Sequence, residues 1–125
     1  MTAADVVSRY QPDTQSPGEA RRAIRAFCAA NEIENLSDDA ELLASEVMTN
    51  ACRMASGPVT MFLLADDGAL VVIISDDCSN RLPATTVLSA PMAESGRGLF
   101  VLDQLAGAWG TTSTPNGKNV WFRLP

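Results

Sequence analysis

ELLASEVMTNACRMA, running from Glu41 to Ala55, is apolar almost all round except for one line of polar groups, and it reads as the central helix of the chain. Glu46, Asn50 and Arg53 recur at i, i+4 and i+7, the spacing that brings side chains onto one helix face. Leu42, Leu43, Val47, Met48 and Ala51 fill the other directions, which predicts a helix packed on most sides with a narrow polar strip left open. A carboxylate, an amide oxygen and a guanidinium in one row suit a metal-bound polyphosphate. A solvated helix face accounts for the same three residues without any ligand.

Outward from this helix, Ser37 is placed to cap it, Asp38, Asp39 and Glu41 favour the positive end of its dipole, and Gly57-Pro58 stops it. Upstream, Val6 to Tyr10 reads as a short strand. Ser16-Pro17-Gly18-Glu19 then forms a capping box before Ala20, Ala23, Ile24, Phe27 and Cys28, an amphipathic pattern. Arg21, Arg22 and Arg25 lie on that helix's other face, as solvated charges or as a basic patch for an acidic protein. Downstream, Val59 to Ala65 and Leu70 to Ser75 are β-branched, apolar runs joined by Asp66-Asp67-Gly68, a hairpin signal. LVVII is too continuously apolar for an edge strand and belongs in the middle of a sheet.

The pattern lapses from Asp76 to Ala93, a polar, proline-broken connection of a length that is usually functional or mobile. Gly96-Arg97-Gly98 leads into Leu99, Val101, Leu102 and Leu105, a helix whose bare N-terminal amides suit an anion. Trp109 to Thr114 and Asn119 to Leu124 close the chain as a hairpin turned around Pro115-Asn116-Gly117-Lys118. These elements predict an α+β domain: a two-layer sandwich with a mostly antiparallel sheet and three helices on one face.

Composition narrows the function. The 125 residues suit one domain, 1–125, and 46% hydrophobic with 19% charged residues is ordinary for a soluble protein. No run is long enough to span a membrane, and MTAADVVSRY lacks the basic start and apolar centre of a secretory signal, so a cytoplasmic protein is expected. A net charge of −6 disfavours nucleic acid as a partner. Cys28, Cys52 and Cys78 are an odd set without CxxC spacing. The chain has no histidine, which removes Ser/His and Cys/His catalytic pairs and weakens any zinc reading. Cys28 and Cys52 read as small core residues.

Taken in order, SEVMTNACRMA with Glu46 and Asn50, a strand ending at Asp76, a long loop, ESGRGLFVLDQLAGAWG, and the closing GKNVWFRL resemble the GHKL (Bergerat-fold) ATP-binding family. Within it, the chain is similar to the small stand-alone anti-sigma-factor serine kinases of the actinobacterial type. The resemblance implies ATP and Mg²⁺ as ligands. It gives Asn50 the metal, through an amide oxygen that suits a hard ion, and Glu46 the catalytic role of polarising a water or a partner's hydroxyl. Asp76 would accept from the adenine amino group. Gly96, Arg97, Gly98 and Leu99 would line the phosphates, and Arg53, Cys78, Asn80 and Asn119 would complete the nucleotide site. A sigma factor and its antagonist protein are the implied partners, with a homodimer left open.

Four positions depart from the family pattern. Cys78 and Asn80 stand where glycines normally let backbone meet the nucleotide, Asn119 replaces a threonine, and Met54 takes a place where relatives commonly carry histidine. Two functions follow: a Mg²⁺-ATP-dependent serine/threonine protein kinase, or a binding module of the same fold that regulates its partner by docking alone. A sensor-kinase ATPase domain is the weakest alternative, since neither a dimerisation helix pair nor an acceptor histidine is present.

Overall fold

A computed structural model describes residues 5–55, 57–76, 105–115 and 117–125. Along the chain stand β1 (Val6–Tyr10), α1 (Ser16–Ala30), a 3₁₀ turn (Glu34–Leu36), α2 (Ser37–Met54), β2 (Val59–Asp66), β3 (Ala69–Asp76), β4 (Ala108–Thr114) and β5 (Gly117–Leu124). The sheet is antiparallel throughout, in the order β1-β2-β3-β5-β4. The apolar run of β3 therefore lies in the middle, with both neighbours hydrogen-bonded to it. The class is α+β and the architecture two-layered, as expected. Two α-helices cover the sheet among the described residues; the third, expected to open at Gly96-Arg97-Gly98, lies outside them, apart from Leu105, which is helical.

Alternation along the strands builds the core. Met61 and Leu63 of β2 pair with Ile74 and Val72 of β3, which in turn face Val120 and Phe122 of β5. All six are buried, and they meet Ile24, Phe27 and Cys28 of α1 and Leu43, Val47 and Met48 of α2. Burial in this layer pushes the Cys28 thiol up from its ordinary pKa, so it behaves as a small apolar residue. The β2–β3 hairpin turns on Asp67 at φ 52° and Gly68 at φ 85°. Two left-handed residues in succession match the twist of the strands, and glycine takes the second position at no steric cost.

Several local features differ from the sequence expectation. Helix α1 is capped from Asp13, whose Oδ1 accepts the N–H groups of Gln15 (2.9 Å) and Ser16 (3.1 Å), and no capping box forms. The Ser16 hydroxyl donates instead to the Gln11 carbonyl. Ser37 likewise leaves the backbone uncapped, because its hydroxyl donates to Glu41 at 2.6 Å. Glu41, expected as a dipole partner, is only 7% exposed. It also accepts from Arg25 Nη2 at 2.7 Å and Nε at 3.3 Å, while Arg21 Nη1 donates to Ser45 Oγ at 2.8 Å. Two of the three arginines read as solvated thus tie α1 to α2. Pro115 and residue 116 suffice for the β4–β5 connection, so Gly117 and Lys118 belong to β5 and not to the turn.

Candidate functional site

The polar strip of α2 sits at the border of the core. Leu43, Val47, Met48 and Ala51 are buried, Glu46 and Asn50 are half-buried, and Arg53 is exposed. Leu42, expected to pack, is 46% exposed, so the open face is wider than the sequence pattern suggests. The cause is topological: α2 packs on α1 to one side and chiefly on β3 beneath, and Leu42 lies clear of both.

Chain connectivity brings Asp76 to the same end of the molecule. Only residues 55–58 separate α2 from β2, a span of at most about 14 Å. Thr60 near the start of β2 pairs with Ser75 near the end of β3, so Asp76 emerges at the end of the sheet nearest Asn50 and Arg53. By alternation Asp76 shares the helix-covered face with Val72 and Ile74, and its side is closed enough to leave it 7% exposed. A buried carboxylate needs hydrogen-bond donors, and Asp76 does not stand alone there.

Register separates the remaining site candidates. Asn119 pairs with Ser75, whose hydroxyl donates to Asn119 Oδ1 at 2.6 Å, on the sheet face away from the helices. It is therefore not brought to Asp76. Lys118, which pairs directly with Asp76, is. The sequence reading missed Lys118 because it placed the residue in a turn; beginning β5 one residue earlier, the alternation Lys118, Val120, Phe122, Leu124 marks it as core-facing. Thr111 of β4, paired with Val120, has a buried hydroxyl without a partner among the described residues. Arg53 lines a depression with Pro12, Asp13, Thr14, Pro17, Thr49 and Cys52. Cys78, Asn80, Gly96, Arg97, Gly98 and Leu99 lie outside the described residues, as does the side chain of Met54. Among the described residues no group of three or more His, Cys, Asp or Glu is placed to hold a metal ion by itself.

No curated protein matches the chain. A family model does: the histidine kinase-like ATPase domain is matched over residues 10–124, from the last residue of β1 to the last of β5. The α2 polar strip, the central strand ending in a buried aspartate and the closing hairpin all fall within that match. The chain belongs to the histidine kinase-like ATPase domain family.

Proposed function

We propose that the chain binds Mg²⁺-ATP and transfers the γ-phosphate to a serine or threonine hydroxyl of a partner protein, as a cytoplasmic anti-sigma-factor kinase in a partner-switching pathway. The observation that carries this is Glu46: a carboxylate half-buried in the middle of α2, one turn before Asn50, on the helix whose C-terminal end lies nearest the buried Asp76. The residues present fit the nucleotide. The Asn50 amide oxygen is a hard donor suited to Mg²⁺, which keeps few protein ligands and takes the rest from phosphates and water, so a single asparagine suffices where the described residues hold no acidic cluster. Asp76 offers an acceptor for an amino group in an enclosed setting, and the Lys118 ammonium lies on its face of the sheet. When bound, Mg²⁺-ATP supplies an electrophilic γ-phosphorus with ADP as leaving group. Glu46 would accept the proton that the partner's hydroxyl gives up when it displaces ADP from the γ-phosphate.

The sigma factor and its antagonist are proposed on the resemblance to small anti-sigma-factor kinases. Docking without phosphate transfer is the alternative; Cys78 and Asn80 in place of glycines, and Asn119 turned to the far face, favour it. Transfer of labelled phosphate to the cognate antagonist separates the two. Glu46→Gln should lower that transfer by about 10²- to 10⁴-fold while leaving Mg²⁺-ATP affinity nearly intact. Transfer at the wild-type rate in Glu46→Gln would remove the carboxylate from the mechanism.

A further inference from the structure

Beside the open flank of α2 lie two adjoining depressions. One, of about 510 Å³, is lined by Thr14, Gln15, Pro17, Gly18, Arg21, Arg22 and Thr49. The other, of about 240 Å³, shares Thr14, Pro17 and Thr49 with it and adds Arg53 and Cys52. Together they form a groove between the start of α1 and the last turns of α2. The groove gathers three of the chain's nine Lys and Arg residues in a protein of net charge −6. Arg25 and Arg123 are paired with Glu41 and Asp66. Arg22 and Arg53 make no ion pair among the described residues, and Arg21 bonds only the neutral Ser45 hydroxyl. The one carboxylate in the groove, Asp13, has its Oδ1 committed to the N–H groups of Gln15 and Ser16. Concentrated, unneutralised guanidinium groups on an otherwise acidic surface steer and select an anionic partner.

We propose that this groove docks an acidic segment of the protein partner, holding it alongside the α2 face that carries Glu46. The proposal rests on the partner-kinase reading above and identifies where that partner is held. Guanidinium forks bind carboxylates bidentately, and Thr14, Gln15 and Thr49 offer polar contacts along an extended chain. The test is fluorescence anisotropy with a labelled peptide of alternating aspartate and serine, with amide chemical-shift mapping. Binding should be saturable, weaken with salt and shift the amides of Gly18, Arg21, Arg22 and Thr49. Arg21→Gln with Arg22→Gln should weaken it about tenfold, with Mg²⁺-ATP affinity unchanged, whereas Arg123→Gln, which removes a charge from the far end of the sheet, should change it by less than about twofold. Equal weakening by Arg123→Gln, shifts confined elsewhere, or full displacement of the peptide by equimolar inorganic phosphate would overturn the proposal. Because the peptide is read without nucleotide, a failure of ATP binding would count against the kinase reading and leave the groove result to stand by itself.

Discussion

Glu41 is the most consequential polar residue inside the helical layer, and replacing it with alanine gives a quantity that can be worked from the structure. Its carboxylate accepts the Ser37 hydroxyl at 2.6 Å and two guanidinium bonds from Arg25 at 2.7 and 3.3 Å. The Arg25 side chain is 71% exposed, so water screens the ion pair and the pair supplies the lesser share of stability. The Ser37 bond is buried, and a buried bond to a charged acceptor contributes about 1.5–3 kcal/mol. Glu41→Ala should therefore cost about 2 kcal/mol at neutral pH, or roughly 6–10 °C in Tm. Arg25→Ala should cost less. The hydrogen bond from Arg25, and secondarily that from Ser37, hold the Glu41 carboxyl below its ordinary pKa against the opposing effect of burial. A depressed carboxyl stabilises the fold above its unfolded pKa of about 4.3, and that contribution fades as pH falls through the lower folded value. Urea denaturation at a series of pH values is the assay. The gap between wild type and Glu41→Ala should narrow below about pH 4. A gap that stays constant down to pH 3, or Arg25→Ala costing as much as Glu41→Ala, would refute the reasoning.

Other sites give sharper local tests. A Cβ on Gly110 would stand 2.8 Å from Trp121 Nε1, so Gly110→Ala should force the indole aside, cost about 1–3 kcal/mol in urea denaturation and shift the tryptophan emission. An unchanged stability and spectrum would mean the ring moves freely. Glu32 holds φ 59° at the end of α1, where the N–H groups of Glu32 and Ile33 close onto the Ala29 and Cys28 carbonyls. Glycine suits that left-handed position better, and Glu32→Gly should raise stability by roughly 0.5–1 kcal/mol by the same assay. A loss would show that the glutamate side chain contributes there. Lys118→Ala should weaken ATP binding more than Asn119→Ala does, by calorimetry, because only Lys118 shares the face of Asp76; the reverse order would contradict the register argument.

Periodicity carried most of the fold. Val6–Tyr10 as the first strand, the central place of LVVII and the Asp-Gly hairpin were all legible, because alternation and turn chemistry act over a few residues. The polar strip was legible in Glu46 and Asn50 for the same reason. Caps were not: Ser16 and Ser37 each have the composition of a cap, but the hydroxyls find other local partners, the Gln11 carbonyl five residues back and the Glu41 carboxylate one turn on in the same helix. Nor was the pairing of Arg21 and Arg25 with α2, since nothing local fixes which helix face a long side chain will reach. The site divides at register. Beginning β5 at Asn119 instead of Gly117 left Lys118 in the turn and promoted Asn119, although Lys118 alternates with Val120 onto the helix-covered face and Asn119 lies on the other.

The central claim is that Asn50 holds Mg²⁺-bound nucleotide while Glu46 acts on the partner's hydroxyl, and titration calorimetry of ATP into wild type and Asn50→Ala, each with and without Mg²⁺, tests it most directly. Wild type should bind ATP more tightly with Mg²⁺ than without, and Asn50→Ala should lose that difference while keeping the weaker, metal-free binding. No heat with wild type at millimolar Mg²⁺-ATP, or a metal effect undiminished in Asn50→Ala, would contradict the account.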